Sequence, residues 1–207
     1  MKIICIGRNY ADHAAEMGAE RPAEPIVFLK PDTALVQRNK PFYYPEFSQD
    51  IHHEIEVVVR ITKNGRHVQP EFARDYISGI GLGIDFTARD LQARLKAKGQ
   101  PWEIAKAFDH SAPVSEFFPP TDFPDTNAID FRLTRNGTTV QQGNTRDLLF
   151  AVEELIVYVS QFFALRKNDL LFTGTPAGVG PVQIDDVLKG YLTTKEGERE
   201  VLLCRVK

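Results

Sequence analysis

Most of this chain is written in short apolar blocks and two-residue alternations, with only a few stretches of helical period. Lys2–Ile6 is an apolar run ended by Gly7, and Ile26–Lys30 is a second one closed by Pro31; both predict strands. Ile51-His52-His53-Glu54-Ile55-Glu56-Val57-Val58-Val59-Arg60 is rich in β-branched residues and predicts a longer strand, turned out through Lys63-Asn64-Gly65-Arg66. From Asp75 to Ile84, Ile77, Ile80, Leu82 and Ile84 interleave with Ser78, Gly79, Gly81 and Gly83. That pattern is a strand with one nearly bare face, as where another backbone or a ligand comes close. Ile129–Leu133 and Thr138–Gln142 meet across Asn136-Gly137, a hairpin signal. Asp169–Thr173 predicts another strand, and Val187–Thr193 pairs with Glu200–Val206 around Lys195-Glu196-Gly197.

Helical signals are fewer. Ala11–Met17 holds good helix formers and is stopped by Gly18. Phe86–Lys98 predicts a helix with Thr87 at the N-cap, Asp90 three residues on, and Gly99 and Pro101 as stops. Arg146–Phe163 carries a stripe of Leu148, Leu149, Val152, Leu155, Ile156 and Val159, the mark of a core-facing helix with no chemistry of its own. Trp102–Phe108 is apolar except for Glu103 and Lys106, so that lysine either snorkels outward or points at something anionic. No repeat or linker interrupts the pattern. Residues 1–207 read as one domain, α+β and β-rich, with a few helices.

Composition narrows the class. With 207 residues, 43% hydrophobic, the chain can bury a sizeable core. Its formal net charge of -3 is interspersed, with no basic block for nucleic acid. No segment approaches the roughly 20 apolar residues of a membrane span, and the amino-terminal apolar run is too short for a signal peptide. Cys5 and Cys204 sit in apolar strands and read as core residues. A cytoplasmic location is the simplest expectation.

Candidate chemistry starts at Glu54 and Glu56. Two apart on a strand, they project from one face, where two carboxylates repel unless a cation lies between them. Their spacing fits either a hard divalent metal or a solvated strand face. Asp85, at a strand end beside glycines, could supply a third oxygen, and an all-carboxylate set suits Mg²⁺ or Mn²⁺ better than zinc. His52 shares the glutamate face only if the strand stays regular, and His53 faces away. His13 and Glu16, three apart on a helix, pair as an oriented general base or as an ordinary exposed turn. The Gly174–Pro181 loop lacks the spacing of a P-loop or a dinucleotide fingerprint.

Five stretches together carry a resemblance: Gly7-Arg8-Asn9-Tyr10 with His13 and Glu16, His52-His53-Glu54-Ile55-Glu56, Gly83–Asp90, Lys106, and Thr173-Gly174-Thr175-Pro176. In this order they resemble the fumarylacetoacetate hydrolase superfamily, most closely its short acylpyruvase branch. The resemblance implies a mixed β-roll, a homodimer, and Mg²⁺ (or Mn²⁺) held by Glu54, Glu56 and Asp85. It implies that the metal chelates a 2-oxo acid, that His13 and Glu16 form a catalytic dyad on a lid-like segment, and that Lys106 faces the substrate's oxyanion. It also implies substrate-binding roles for Arg8, Tyr10, Gln92 and Thr175, with His52 and His53 supporting or packing.

The activity implied first is hydrolysis of an acylpyruvate such as acetylpyruvate or fumarylpyruvate to pyruvate and a carboxylic acid. The alternative within the family is decarboxylation or keto–enol exchange of oxaloacetate, which uses the same enolate without an attacking water. A non-catalytic metal-binding domain is the remaining reading, and it leaves His13, Glu16 and Lys106 without a purpose.

Overall fold

A computed structural model describes residues 1–11, 21–37 and 39–207. His13 and Glu16 therefore lie outside the described residues. The strands are β1 (Ile3–Gly7), β2 (Ile26–Lys30), β3 (Leu35–Val36), β4 (Ile51–His53), β5 (Ile55–Ile61), β6 (Ile77–Ile84), β7 (Thr87–Ala88), β8 (Ala112–Pro113), β9 (Asp130–Arg135), β10 (Thr138–Asn144), β11 (Leu170–Phe172), β12 (Gly180–Pro181), β13 (Val187–Thr194) and β14 (Gly197–Arg205). Three α-helices are described: α1 (Arg89–Ala97), α2 (Glu103–Lys106) and α3 (Val152–Phe162). The strand-rich α+β expectation is met.

A five-stranded mixed sheet, in the order β2-β1-β11-β5-β6, forms the centre. Only the β1–β11 pair in it is parallel. A four-stranded antiparallel sheet, β10-β9-β13-β14, packs its Leu133, Leu188, Leu192 and Leu202 into the same core as Val57, Val59 and Leu82. A small third sheet, β12-β4-β7, caps one end. β5 is apolar on both faces because both are covered, which is why its valines run on without alternation. Among the described residues no helix is long and apolar enough to cross a membrane.

The bare face of β6 has the purpose its glycines suggest. A Cβ on Gly81 would stand 2.7 Å from the Glu116 carbonyl, and one on Gly79 3.0 Å from Phe117 Cβ. The 114–118 segment lies directly on that face, bonded to β6 through Ile80 and Phe118 and through the Ser115 hydroxyl on the Leu82 N–H. The hairpin at Asn136-Gly137 also forms, with both residues at positive φ.

Two helix boundaries move. Thr87 does not cap a helix: it lies in β7, its hydroxyl bonded to Glu54 Oε1, and α1 starts at Arg89. The stripe from Arg146 opens in a 3₁₀ turn, Thr145–Asp147, and becomes α-helical only at Val152, because Asn9 and Tyr10 hold the residues between. Asn9 accepts from the Leu149 N–H and, through Oδ1, from the Phe150 N–H. The predicted long strand also breaks in two at Glu54, β4 joining the small sheet and β5 the central one.

Candidate active site

The register of β5 on β6 assembles the site. Ile55 pairs with Ile84 and Glu56 with Gly83, and the Asp85 N–H donates to the Glu54 carbonyl at 2.8 Å. Antiparallel pairing thus brings the start of β5 against the end of β6. Glu54, Glu56 and Asp85 each turn a carboxylate oxygen to one point, all within 4.8 Å of one another. All three residues are buried, Asp85 at 1% exposure.

Buried carboxylates need cations or donors. Lys106 Nζ bridges Glu54 Oε2 at 2.8 Å and Asp85 Oδ2 at 2.7 Å. Lys30, at the end of β2, places Nζ 2.7 Å from Asp85 Oδ1 in an ion pair without hydrogen-bond alignment. It donates instead to the Lys106 carbonyl and to Ser111 Oγ at 2.9 Å. Arg89 pairs with Glu54 Oε1 and donates to Gln92 Oε1 at 2.6 Å. Among the described residues Glu56 meets no side-chain cation; its Oε2 accepts the Gly174 N–H at 2.7 Å. Burial first, then the charge of Asp85, pushes the Glu56 carboxyl well above its ordinary range. Burial pulls the Lys106 ammonium down, but Asp85 and Glu54 reverse this and hold it above its ordinary range.

Gly174 is glycine for a reason. Its φ of 106° belongs to the left-handed side, and a Cβ there would stand 2.7 Å from Asn9 Cβ. Asn9 Nδ2 in turn donates to the Phe150 and Thr173 carbonyls at 3.0 and 2.8 Å, tying the end of β1 to the exit of β11. The next residue, Thr175, donates its hydroxyl to the Ile55 carbonyl at 2.8 Å and accepts from Gln141 Nε2 at 2.8 Å. Its hydroxyl proton is committed within the protein.

These groups surround a cavity of about 40 Å³ lined by Arg8, Phe28, Glu54, Glu56, Asp85, Arg89, Gln92, Lys96, Trp102, Lys106 and Thr175, among others. The expected Arg8, Gln92, Lys106 and Thr175 are all on its wall. Tyr10 is not: it packs edge-on to Phe131 in the core, with its hydroxyl unpartnered among the described residues. The short antiparallel bridge from Tyr10 to Leu148 draws it inward. Lys106 lies among the carboxylates themselves, so its expected role toward an oxyanion requires it to leave this bridge.

His52 and His53 do not join the carboxylates. His52 Nε2 lies 2.9 Å from Asp50 Oδ1, and His53 Nδ1 lies 2.9 Å from Gln141 Oε1. That oxygen can only accept, so His53 carries its proton on Nδ1, and burial keeps the ring below its usual range and neutral. Gln141 Oε1 also accepts the Ile55 N–H at 3.0 Å, so one amide clamps His53, β5 and the Thr175 loop.

Lys30, Arg89, Lys96 and Gln141 carry no role in the sequence reading. A cation ending the apolar run Ile26–Leu29 was the one signal for Lys30; Gln141 offers none, since glutamine on an exposed-looking hairpin is ordinary.

The donor set fits a hard divalent cation. Three carboxylates converge with only oxygen to offer, as Mg²⁺ or Mn²⁺ prefers, and the Lys106 ammonium already lies between two of them. A buried carboxylate cluster at the end of a mixed β-roll is thus walled by the basic residues Arg8, Arg89, Lys96 and Lys106. The chain belongs to the fumarylacetoacetate hydrolase family: residues 2–202 match its domain, described as Fumarylacetoacetate (FAA) hydrolase C-terminal. It is 44% identical over 188 residues to the oxaloacetate tautomerase YcgM of Escherichia coli (strain K12), covering 90% of this chain and 86% of that protein. It is 44% identical over 193 residues to a mitochondrial oxaloacetate decarboxylase of Dictyostelium discoideum, covering 93% and 88%. The crystal structure of fumarylpyruvate hydrolase from Pseudomonas aeruginosa, in complex with Mn²⁺ and pyruvate, superposes with a TM-score of 0.91 at 38% identity, covering 100% of this chain and 89% of that one.

Proposed function

We propose that this chain is a divalent-metal-dependent enzyme of oxaloacetate, interconverting its keto and enol forms. The observation that carries this reading is the buried triad of Glu54, Glu56 and Asp85 with Lys106 among them. Its support over acylpyruvate hydrolysis comes from relatives named oxaloacetate tautomerase and oxaloacetate decarboxylase at 44% identity over nine-tenths of the chain.

Tautomerisation breaks the C3–H bond of the 2-oxo acid. Its electron pair becomes the C2–C3 double bond, the carbonyl electrons move to oxygen, and a proton on that oxygen gives the enol. Charge grows on the C2 oxygen, so a preorganised cation there lowers the barrier. A divalent ion held by Glu54, Glu56 and Asp85 would supply Lewis-acid stabilisation of that oxygen. With its bridge to the carboxylates released, Lys106 would present N–H donors to the same oxygen and deliver the proton. His13 oriented by Glu16 is proposed as the base at C3. The Thr175 N–H would orient the C1 carboxylate. Decarboxylation uses the same groups: the C3–C4 bond breaks, carbon dioxide leaves, and C3 later takes the proton.

A second reading keeps the hydrolase, on the strength of the fumarylpyruvate hydrolase structure at a TM-score of 0.91. The test is a parallel assay of the Mn²⁺-loaded protein on enol-oxaloacetate, keto-oxaloacetate and acetylpyruvate. Ultraviolet loss of the enol, released pyruvate and released acetate are followed against a blank containing Mn²⁺ alone. Enol loss exceeding the other rates by at least about tenfold is expected; acetylpyruvate hydrolysis as the fastest reaction overturns the proposal.

A further inference from the structure

Cations outnumber their partners around this cavity. Lys106 and Arg89, on its wall, and Lys30, outside its lining, each lie within ion-pair distance of Glu54 or Asp85. These three positive side chains are taken up by Glu54 and Asp85. Arg8 and Lys96 line the same cavity, and among the described residues neither makes an ion pair or side-chain hydrogen bond.

Both are placed there by the fold. Arg89, Gln92 and Lys96 recur at intervals of three and four along α1, so one face of that helix turns all of them to the cavity. Leu91 and Leu95 take the buried side. Arg8 follows β1 at a φ of 57°, a left-handed conformation that costs a branched-out side chain energy and recurs where function fixes it. Burial, and then the positive charges of Arg8 and Arg89, hold the Lys96 ammonium below its ordinary range. Like charges are thus kept in mutual reach at the rim, against their own repulsion. Phe28 and Trp102, 6.5 Å apart, wall the cavity, and Lys106 Nζ stands 5.3 Å over the Phe28 ring.

We propose that Arg8 and Lys96 form a subsite for a second, distal carboxylate, so that the cavity selects dianionic 2-oxo acids over monoanionic ones. This rests on the keto-acid reading above and deepens it. The 2-oxo end lies toward the triad, and the far carboxylate meets the guanidinium of Arg8 and the ammonium of Lys96. A guanidinium grips a carboxylate through two parallel N–H donors, and an ammonium adds a point charge without fixed geometry. An acylpyruvate ending in a methyl group would leave both cations without an anionic partner, which disfavours it. A four-carbon diacid pairs both.

The test is calorimetric binding of oxaloacetate and of its 4-carboxamide, a near-isostere lacking the distal charge, to the Mn²⁺-loaded protein. Wild type is expected to bind the diacid at least about tenfold more tightly, about 1.4 kcal/mol. Lys96→Met and Arg8→Met each remove most of that preference while changing amide binding less than about twofold, and Lys96→Arg restores it. Equal affinity of wild type for both ligands overturns the proposal, as does a loss in the variants that falls on both ligands alike. The two readings fail separately. A protein that prefers the diacid but does not interconvert its keto and enol forms sinks the tautomerase reading and keeps the subsite; one that turns it over without preferring it does the reverse.

Discussion

Lys30 Nζ lies 2.7 Å from Asp85 Oδ1, on the opposite side of the carboxylate from Lys106. One aspartate is therefore flanked by two buried ammonium groups, and Lys30 also holds the carbonyl of Lys106 and the Ser111 hydroxyl. This lysine fixes both a prospective metal ligand and the helix that carries Lys106.

Replacing it leaves Asp85 Oδ1 buried without its cation, while the Lys106 carbonyl keeps the Ser111 hydroxyl as a donor. Lys30→Met keeps much of the volume but strips a cation from Asp85 and a donor from Lys106 O and Ser111. Breaking one partner of a buried pair costs about 3–5 kcal/mol. Denaturant unfolding of the metal-free protein is expected to show a loss of that order. A change under about 1 kcal/mol would mean that Lys106 alone satisfies Asp85.

Glu56 gives a pH dependence with a definite sign. Its folded pKa is raised, so the neutral acid is favoured in the native state. The stability this supplies is full below the ordinary carboxylate pKa of 4.5 and is lost as pH rises through the higher folded value. In metal-free protein with chelator present, Glu56→Gln removes that ionisation while its amide oxygen still accepts the Gly174 N–H. The variant is expected to be more stable than wild type at neutral pH, with the gap closing toward pH 4.5. Melting curves across that range decide it, and a gap that widens on acidification contradicts the assignment.

Gln141 makes its prediction through geometry. Its amide satisfies the Ile55 N–H, His53 Nδ1, Thr175 Oγ1 and the Pro176 carbonyl. Gln141→Leu leaves these groups without that partner in a buried place, at about 1–3 kcal/mol for each group left unsatisfied. Loosening of the Thr175 loop should raise KM for the keto acid more than it lowers kcat. Steady-state kinetics beside a melting curve checks both halves; an unchanged KM with the expected destabilisation would confine Gln141 to the scaffold.

Gly83 is closed to any side chain. A Cβ there would stand 2.6 Å from Phe172 Cε1 and 2.8 Å from Val58 Cγ2. Gly83→Ala, at the register partner of Glu56, forces the β5–β6–β11 contact apart, and overpacking of this kind costs about 1–3 kcal/mol. Expected is a lower unfolding midpoint together with weaker Mn²⁺ binding. Restoration of both by Phe172→Leu in the double variant would confirm the steric cause.

How much of this was legible beforehand follows from the range of each interaction. The glycine-lined face of β6, the Asn136-Gly137 hairpin and the paired glutamates are local patterns, and each has its counterpart in the structure. Asp85 stands about thirty residues from Glu54, and only the β5–β6 register brings them together, so spacing alone could not join them. Motif resemblance did. The helical stripe from Arg146 misled because Leu148 packs against the core for a different reason: it sits in a segment tied to Asn9 and Tyr10 and not in a helix. Tyr10 sits in the motif but was drawn into the core by its bridge to Leu148, a contact across more than a hundred residues. Lys30 and Gln141 act through partners 34 and more positions away, beyond anything a periodicity reports.

Lys106 completes the set, because its ammonium competes with a metal for the same two carboxylates. Bridging Glu54 and Asp85 at 2.8 and 2.7 Å, it stabilises the metal-free protein and also opposes a second cation nearby. Lys106→Met should therefore separate two quantities that usually move together. The metal-free variant loses stability by about 3–5 kcal/mol, as one partner of a buried ion pair is removed. Its affinity for Mn²⁺ rises by at least about tenfold, since a like charge a few ångströms away has gone. Turnover of oxaloacetate falls nonetheless, because no donor remains for the enolate oxygen. Calorimetric titration with Mn²⁺ is the deciding measurement. Weaker binding in the variant would mean that Lys106 shapes the metal site by holding the carboxylates in place, not by competing for them.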